Sequence, residues 1–282
     1  MSLNPARSNS FQGSQPLKEK IVVRLAQNES EIEAAQKLRY QVFYEEFGAK
    51  PNEAVATQKK DFDEFDAVAD HVIVIDETLG SGKNGIIGTY RLLRQEAADK
   101  VGRFYTGDEY DISPLRECGA NILELGRSCV LEEYRTRSVM QRLWAAIADY
   151  VIEYDIDIMF GCGSFHGTDP SKFARELSYL YHYHLAPPGL RPVAKPDHHV
   201  QMNVTSKESL VDKEILTSLP PLIKGYLRLG AHVGDGAYID EEFNTTDVCI
   251  VLQTHLITDR YKRHYDISRR GTFDPPSWTV DE

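Results

Sequence analysis

Apolar residues along this chain repeat with two periods, and the switches between periods outline a mixed α/β protein. Residues 1 to 18, rich in Ser, Asn, Gln and Gly, carry no apolar period and read as a disordered arm. "KIVVRLA" follows as a first strand. Ser30 and Glu33 then have the spacing of a capping box, and Ile32, Ala35, Leu38 and Val42 recur at helical spacing until Gly48 stops the run. After an acidic, Pro-containing loop ending near Asp66, "HVIVID" and "NGIIGTYRLLR" read as two strands joined by a Gly/Ser turn. "NILELGRSCV" is a further strand, and "TRSVMQRLWAAIADYVIEY" puts Val139, Leu143, Ile147, Val151 and Tyr154 on one helical face. "IDIMFGCGSF" is a short buried strand. A helix follows with Asp169 as its cap and Pro170 at its first position, then a Pro-rich connection, a helix over "LPPLIKGYLRLG", a Gly-punctuated loop or hairpin, and a last strand, "TDVCIVLQT".

Strand, helix, strands, crossover helix, strand is the order of a mixed sheet with flanking helices. With 282 residues the chain reads as one enlarged domain over 19–265 followed by a tail, 266–282. Hydrophobic residues make up 41% and charged residues 27%, ordinary values for a globular protein. No apolar run approaches a membrane span or a signal peptide, so the expected location is the cytoplasm. Cys118, Cys129, Cys162 and Cys249 form no CxxC pair and are expected as reduced thiols, without structural zinc. A net charge of −11 argues against nucleic acid as a partner. One basic run does stand out: Arg260, Lys262, Arg263, Arg269 and Arg270 are placed to touch lipid headgroups peripherally at the inner membrane, or an acidic protein, or simply water.

The informative residues are charges set inside or beside apolar runs: Arg39, Asp63, Asp66, Arg91, Glu124 and Arg127. Strict alternation puts Glu124 and Arg127 on opposite faces of their strand. A β-bulge, which Gly126 tolerates, brings both to one side and makes the strand the floor of a site. The plainer alternative is that the two are only a buried ion pair.

"RYQVFYEEFG", "DFDEFD", "GTYRLL" and "ELGRSCV" occur in the order seen in acyl-homoserine-lactone synthases, relatives of the GNAT acyltransferases. "LELGRSCVLEEYRTR", "DIMFGCGSFHGTDP", "LPPLIKGYLRLGA" and "FNTTDVCIVL" resemble more closely the L-ornithine Nα-acyltransferase family of ornithine lipid synthesis, whose members are sometimes labelled hemolysin-like. The resemblance covers roughly residues 20 to 265. It implies a GNAT-like fold in which the Glu124 strand and the next crossover strand splay apart to admit a phosphopantetheine arm. It further implies transfer of a 3-hydroxyacyl group from acyl carrier protein to the α-amino group of ornithine or a similar amino-acid acceptor, giving lyso-ornithine lipid. The alternatives are an acyl-homoserine-lactone-type signal synthase and, outside enzymes, a membrane-associated hemolysin-like protein.

Attack on a thioester needs a neutral amine, so a carboxylate within reach is useful, and Glu124 is the first candidate for that base. Backbone N–H groups freed near Ser128 and Cys129 are candidate oxyanion donors. Arg127 either orients Glu124 or holds Asp63 or Asp66. Asp63, Glu64 and Asp66 are candidates to read a cationic amino acid by charge, against the plainer reading of a solvated loop. Arg39 and Arg91 either grip the acceptor carboxylate or pair with those aspartates, with pairing expected for one of the two.

Enzymes of the GNAT type that use coenzyme A hold its pyrophosphate in a glycine-rich turn before the crossover helix. Here the text is "RTRSVM", without glycine. That suits a single phosphate, so Val130, Arg135, Arg137 and Ser138 are expected at an acyl-phosphopantetheine donor rather than at coenzyme A. The two arginines read equally well as surface charge. No permanently bound cofactor and no metal are expected, since His182, His184, His198 and His199 lack a ligand spacing. "HVIVID" matches H-x4-D but reads as a core strand. Ser164 misses the G-x-S-x-G pattern, and Cys162 beside His166 reads as a small buried residue before it reads as a nucleophile. For the acid that protonates the departing thiolate, Tyr179 or Tyr181 is available.

Overall fold

The computed structural model describes residues 20–210 and 212–255. The arm at 1–18, the tail at 266–282 and the basic run from Arg260 to Arg270 lie outside the described residues. Strands β1 (Ile21–Leu25), β2 (Asp70–Asp76), β3 (Ile86–Arg94), β4 (Tyr110–Asp111), β5 (Ile122–Val130), β6 (Ile158–His166), β7 (Val193–Ala194), β8 (His199–Val200), β9 (His232–Val233), β10 (Ala237–Asp240) and β11 (Thr245–Gln253) build the sheets. The main sheet runs in the order β1-β2-β3-β5-β6-β11-β10-β8, with β9 on β11, and β4 pairs β7 apart from it. Its long neighbours are antiparallel except β5 and β6, which run parallel because a helix crosses between them.

The helices are α1 (Glu29–Tyr40), α2 (Glu53–Gln58), α3 (Gln95–Val101), α4 (Ser113–Glu117), α5 (Arg137–Glu153), α6 (Ala174–His184), α7 (Asp212–Ser218) and α8 (Pro221–Arg228). Both sheet faces are covered, which is why β2 and β3 read as almost continuous apolar runs. On one face Val72, Val74, Leu123 and Leu125 pack with Val139, Leu143 and Ile147 of α5 and with Ile223 and Tyr226 of α8. On the other, Ile73 and Ile75 meet Ala35 of α1, while Leu93, Ile122, Phe160 and Val251 meet Phe104, Tyr110 and Leu115. Among the described residues no helix is long and apolar enough to cross a membrane.

The first helix is capped two residues earlier than its Ser/Glu spacing predicts. Asn28 accepts the Glu31 N–H at 3.1 Å. Ser30 only bonds Asn28, and Glu33 pairs outward with Lys37 at 3.1 Å. Glu31 turns back to Arg24 at 2.7 Å, so the buried acid rather than the exposed one ties the helix to β1. Beyond Tyr40 the helix widens into a π-turn over Gln41–Glu46, and Gly48, at φ 75°, ends it. Asp169 caps a 3₁₀ turn, Pro170–Phe173, that leads into α6.

Candidate active site

Strands β5 and β6 pair only at Ile122–Ile158, Leu123–Met159 and Glu124–Phe160. Past those pairs β6 stays bound to β11 along its whole length, while β5 stays with β3 and leaves β6. Gly161 sits where they part. A Cβ there would lie 2.2 Å from the Leu125 carbonyl oxygen, so only glycine lets the two backbones pass this closely before they diverge.

Opposite, β5 carries the bulge. Thr89 faces Cys129 and Arg91 faces Gly126, so Arg127 and Ser128 together oppose Tyr90. The residue in the left-handed region is Arg127, at φ 53°, and not Gly126, whose Cβ would meet nothing within 4 Å. The bulge is therefore where the sequence places it, but its conformational load falls on the arginine. With the extra residue, Glu124, Arg127 and Cys129 all line one cavity.

Arg127 does not orient Glu124. Its Nε lies 3.2 Å from Asp61 and its Nη2 3.3 Å from Asp63, and its guanidinium stacks 4.4 Å from the rings of both Tyr105 and Phe243. Arg39 in turn meets Asp61 at 2.7 Å and Asp66 at 2.7 Å, while Arg91 meets Asp63 at 2.5 Å and Asp66 at 3.2 Å. Three arginines and three aspartates thus close a ring in which every charge touches two opposite ones. Against the upward push of burial, Arg39 and Arg91 hold the Asp66 carboxyl below the usual range.

The ring corrects several expectations. Arg39 and Arg91 both pair with aspartates, where pairing was expected for one. Arg39 is fully buried and, like Asp63 and Asp66, lies outside the wall of the main cavity, while Arg91 is part of it. Asp61, which the sequence did not single out, is a full member, 2% exposed and also hydrogen-bonded by the Tyr44 hydroxyl at 3.1 Å.

Glu124 is 4% exposed and held by one turn: Tyr105 N–H donates to Oε2 at 2.9 Å, Thr106 N–H to Oε1 at 2.5 Å, and the Thr106 hydroxyl adds to the hold. Burial pushes its carboxyl above the usual range against the pull of the Thr106 hydroxyl and the two backbone donors. A carboxylate can accept more bonds than these donors supply, and the side chain lines the cavity.

That cavity, about 1070 Å³, opens through the seam to both sheet faces. On the α5 side its wall is Met140, Trp144, Ile147, Val151, Leu222 and Leu229, an apolar passage of the chemistry a hydrocarbon chain needs. At its mouth stand Val130, Arg135, Thr136 and Arg137, with Thr136 capping α5 through the Val139 N–H at 3.4 Å. Ser138 is exposed and outside the wall. Arg135 is engaged by Glu46 at 2.5 and 2.6 Å and lies over Phe47, so its charge is already half spent.

On the other face a second polar group lines the cavity: Glu109, Cys162, Ser164, Asp240 and Asp247. The ligand atoms of Glu109, Cys162 and Asp247 lie within 4.8 Å of one another. Burial, then the Glu109 and Asp247 carboxylates, push the Cys162 thiol far above its ordinary value, and burial pushes Cys129 up to about 12. Neither thiol is a ready thiolate. Neither Tyr179 nor Tyr181 lines the cavity; Tyr90 and Tyr105 do. His71 is buried in β2, its Nε2 3.1 Å from the Asp66 carbonyl oxygen. Glu109 and Asp247 escaped the sequence reading because nothing local marks them: they meet only when the turn before β4 packs against β6 and β11.

Residues 38–145 match the acetyltransferase (GNAT) domain family. Over 244 residues the chain is 44% identical to the L-ornithine N(alpha)-acyltransferase of Rhodobacter capsulatus, covering 86% of this chain and 93% of the relative. It is 46% identical over 246 residues to that of Brucella abortus, covering 86% and 88%. Among solved structures the AHL synthase LasI aligns at 12% identity and a TM-score of 0.45, over 83% of this chain and 90% of that one. With the splayed strands, the carboxylate in the seam and kinship of this extent, the chain belongs to the L-ornithine N(alpha)-acyltransferase family and is an N-acyltransferase of GNAT type.

Proposed function

We propose that the protein transfers a long, 3-hydroxylated acyl group from the phosphopantetheine of acyl carrier protein to the α-amino group of ornithine, forming lyso-ornithine lipid. One observation carries this reading: Glu124 stands in the seam between β5 and β6, with an apolar passage on one side of the sheet and a polar pocket on the other. A thioester arm entering along α5 would bring its carbonyl to the seam, and the acceptor would approach from the polar side. The names of the relatives support ornithine as that acceptor.

In the step itself the α-ammonium gives a proton to Glu124, which burial makes a stronger base than an exposed carboxylate. The freed nitrogen attacks the thioester carbon, the tetrahedral oxyanion collapses, the carbon–sulfur bond breaks, and the second proton leaving the nitrogen passes to the departing sulfur, so that pantetheine leaves as the thiol and Glu124 returns its own proton to solvent. The high thiol pKa values of Cys129 and Cys162 favour this direct attack over an acyl-enzyme. The turn before α5 has no glycine, and Thr136 at its cap and Arg137 suit one phosphate better than a pyrophosphate.

The test offers acyl carrier protein or coenzyme A thioesters, each with ornithine, other amino acids or S-adenosylmethionine, and reads products by mass spectrometry. N-acylornithine formed faster from the carrier protein is expected. Acyl-homoserine lactone, or an equal rate from coenzyme A, would overturn the acceptor or the donor respectively.

A further inference from the structure

The three acids of the ring, Asp61, Asp63 and Asp66, spend their charge on three arginines. In the neighbouring smaller cleft of about 280 Å³, Glu64 and Asp108 both pair with Arg103, at 2.6 and 2.8 Å, which leaves Glu242 alone there and no cluster of unpaired acids. Charge balance therefore turns attention to the other acids of the main cavity. Among the described residues no arginine or lysine forms an ion pair with Glu109, Asp240 or Asp247. Asp247 is 4% exposed, faces the cavity, and its Oδ1 has no hydrogen-bond partner. An unpaired carboxylate oxygen buried beside a second buried acid is costly unless something arrives to satisfy it.

We infer that Glu109 and Asp247, with Asp240 at their rim, form the pocket that reads the distal ammonium of a diamino acid acceptor. The inference rests on the proposed ornithine acylation and assigns its selectivity. Placement supports it. The turn whose N–H groups hold Glu124 runs on to Glu109, and Cys162 reaches both Thr106, at 3.9 Å, and Glu109, at 3.2 Å, so the two carboxylates line one cavity around a single turn. The two nitrogens of extended ornithine are about 6 Å apart, across five single bonds. An α-amine at Glu124 would leave the δ-ammonium to the Glu109 end of that cavity. Its three N–H donors match the free Oδ1 of Asp247 and a Glu109 oxygen, with the third left for Asp240 or Ser164. Burial and then the neighbouring Asp247 carboxylate raise Glu109, and burial raises Asp247 to about 7, as expected of acids that keep a proton until a cation replaces it. Their thiol neighbour Cys162 donates to Glu109 at 3.2 Å and completes the pocket floor.

The test compares ornithine with norvaline, which has the same skeleton without the distal amine, in the native protein and in Asp247→Asn and Glu109→Gln. The kcat/KM ratio of ornithine over norvaline should fall by about 30-fold or more in each variant. A ratio kept within threefold while the native protein acylates ornithine overturns this inference alone; a native protein that acylates no ornithine overturns the proposed function. As a measurement that needs no variant, calorimetry of the native protein near pH 6.5 in two buffers of different ionisation enthalpy should show ornithine releasing more protons than norvaline. Equal release would overturn the assignment. So would a preference for ornithine that disappears on treatment with EDTA, which would give the Glu109, Cys162 and Asp247 cluster to a divalent cation instead.

Discussion

The guanidinium of Arg39 grips both oxygens of Asp66, at 2.9 and 2.7 Å, with none of the arginine exposed to solvent. This pair joins α1 to the loop before β2, and through Arg91 and Arg127 the same ring fixes the bulge of β5. A buried ionic ring contributes little net stability because desolvation offsets its Coulomb gain. Its use is geometric: it holds Arg127 in a left-handed conformation that shapes the active-site wall.

Breaking the ring should therefore be expensive. Arg39→Met leaves Asp61 and Asp66 short of a partner and should cost about 3 to 5 kcal/mol in urea unfolding. A cost below about 1 kcal/mol would show that the ring is not a buried unit.

Gly161→Ala forces a methyl group against the Leu125 carbonyl, which cannot rotate away as a side chain would. A loss of about 1 to 3 kcal/mol is expected, together with a greater fall in turnover than Gly126→Ala produces, since the latter Cβ meets no atom. Equal effects of the two would remove Gly161 from its role at the seam.

Glu124→Gln should lower turnover by about 100-fold to 10,000-fold. The native rate should rise with pH along a limb lying above the ordinary carboxylate range, and that limb should vanish in the variant. Rapid turnover with the limb intact would move the base elsewhere.

Asp247 carries a stability signature of definite sign. Its carboxyl is raised from 3.8 to about 7 on folding, so between those values the folded chain holds a proton that the unfolded chain has released. Stability of the unliganded protein from this group is present below pH 4 and is lost as pH rises toward 7. Asp247→Asn should lose less over that window, by roughly 2 kcal/mol, in chemical unfolding at pH 4.5 and pH 8. A variant that loses more would reverse the assignment.

Ala148 lies on the apolar wall of the cavity. Ala148→Phe should shift the preference toward shorter acyl donors by about tenfold or more in relative kcat/KM, a range that one or two excluded methylenes span. An unchanged chain-length profile would place the acyl group elsewhere.

Much of this molecule is set by local pattern. Alternation and helical spacing locate β1, β2, β3, β5, β6, the crossover helix and the last strand, but not the two-residue β4, because each of the long elements buries an apolar face whatever its neighbours are. The charges inside those runs, Glu124 and Arg127 above all, mark the sheet floor, because burying a charge costs too much to be incidental. Pairing is another matter. That Arg39 and Arg91 both spend themselves on aspartates, that Asp61 completes their ring, and that the strain of the bulge falls on Arg127 beside Gly126 depend on distances between segments remote in sequence. Glu109 and Asp247 stand 138 positions apart by number and carry no local signal. Only the packing of the turn before β4 onto paired β6 and β11 brings them to one cavity, where a low dielectric raises the cost of charging either acid.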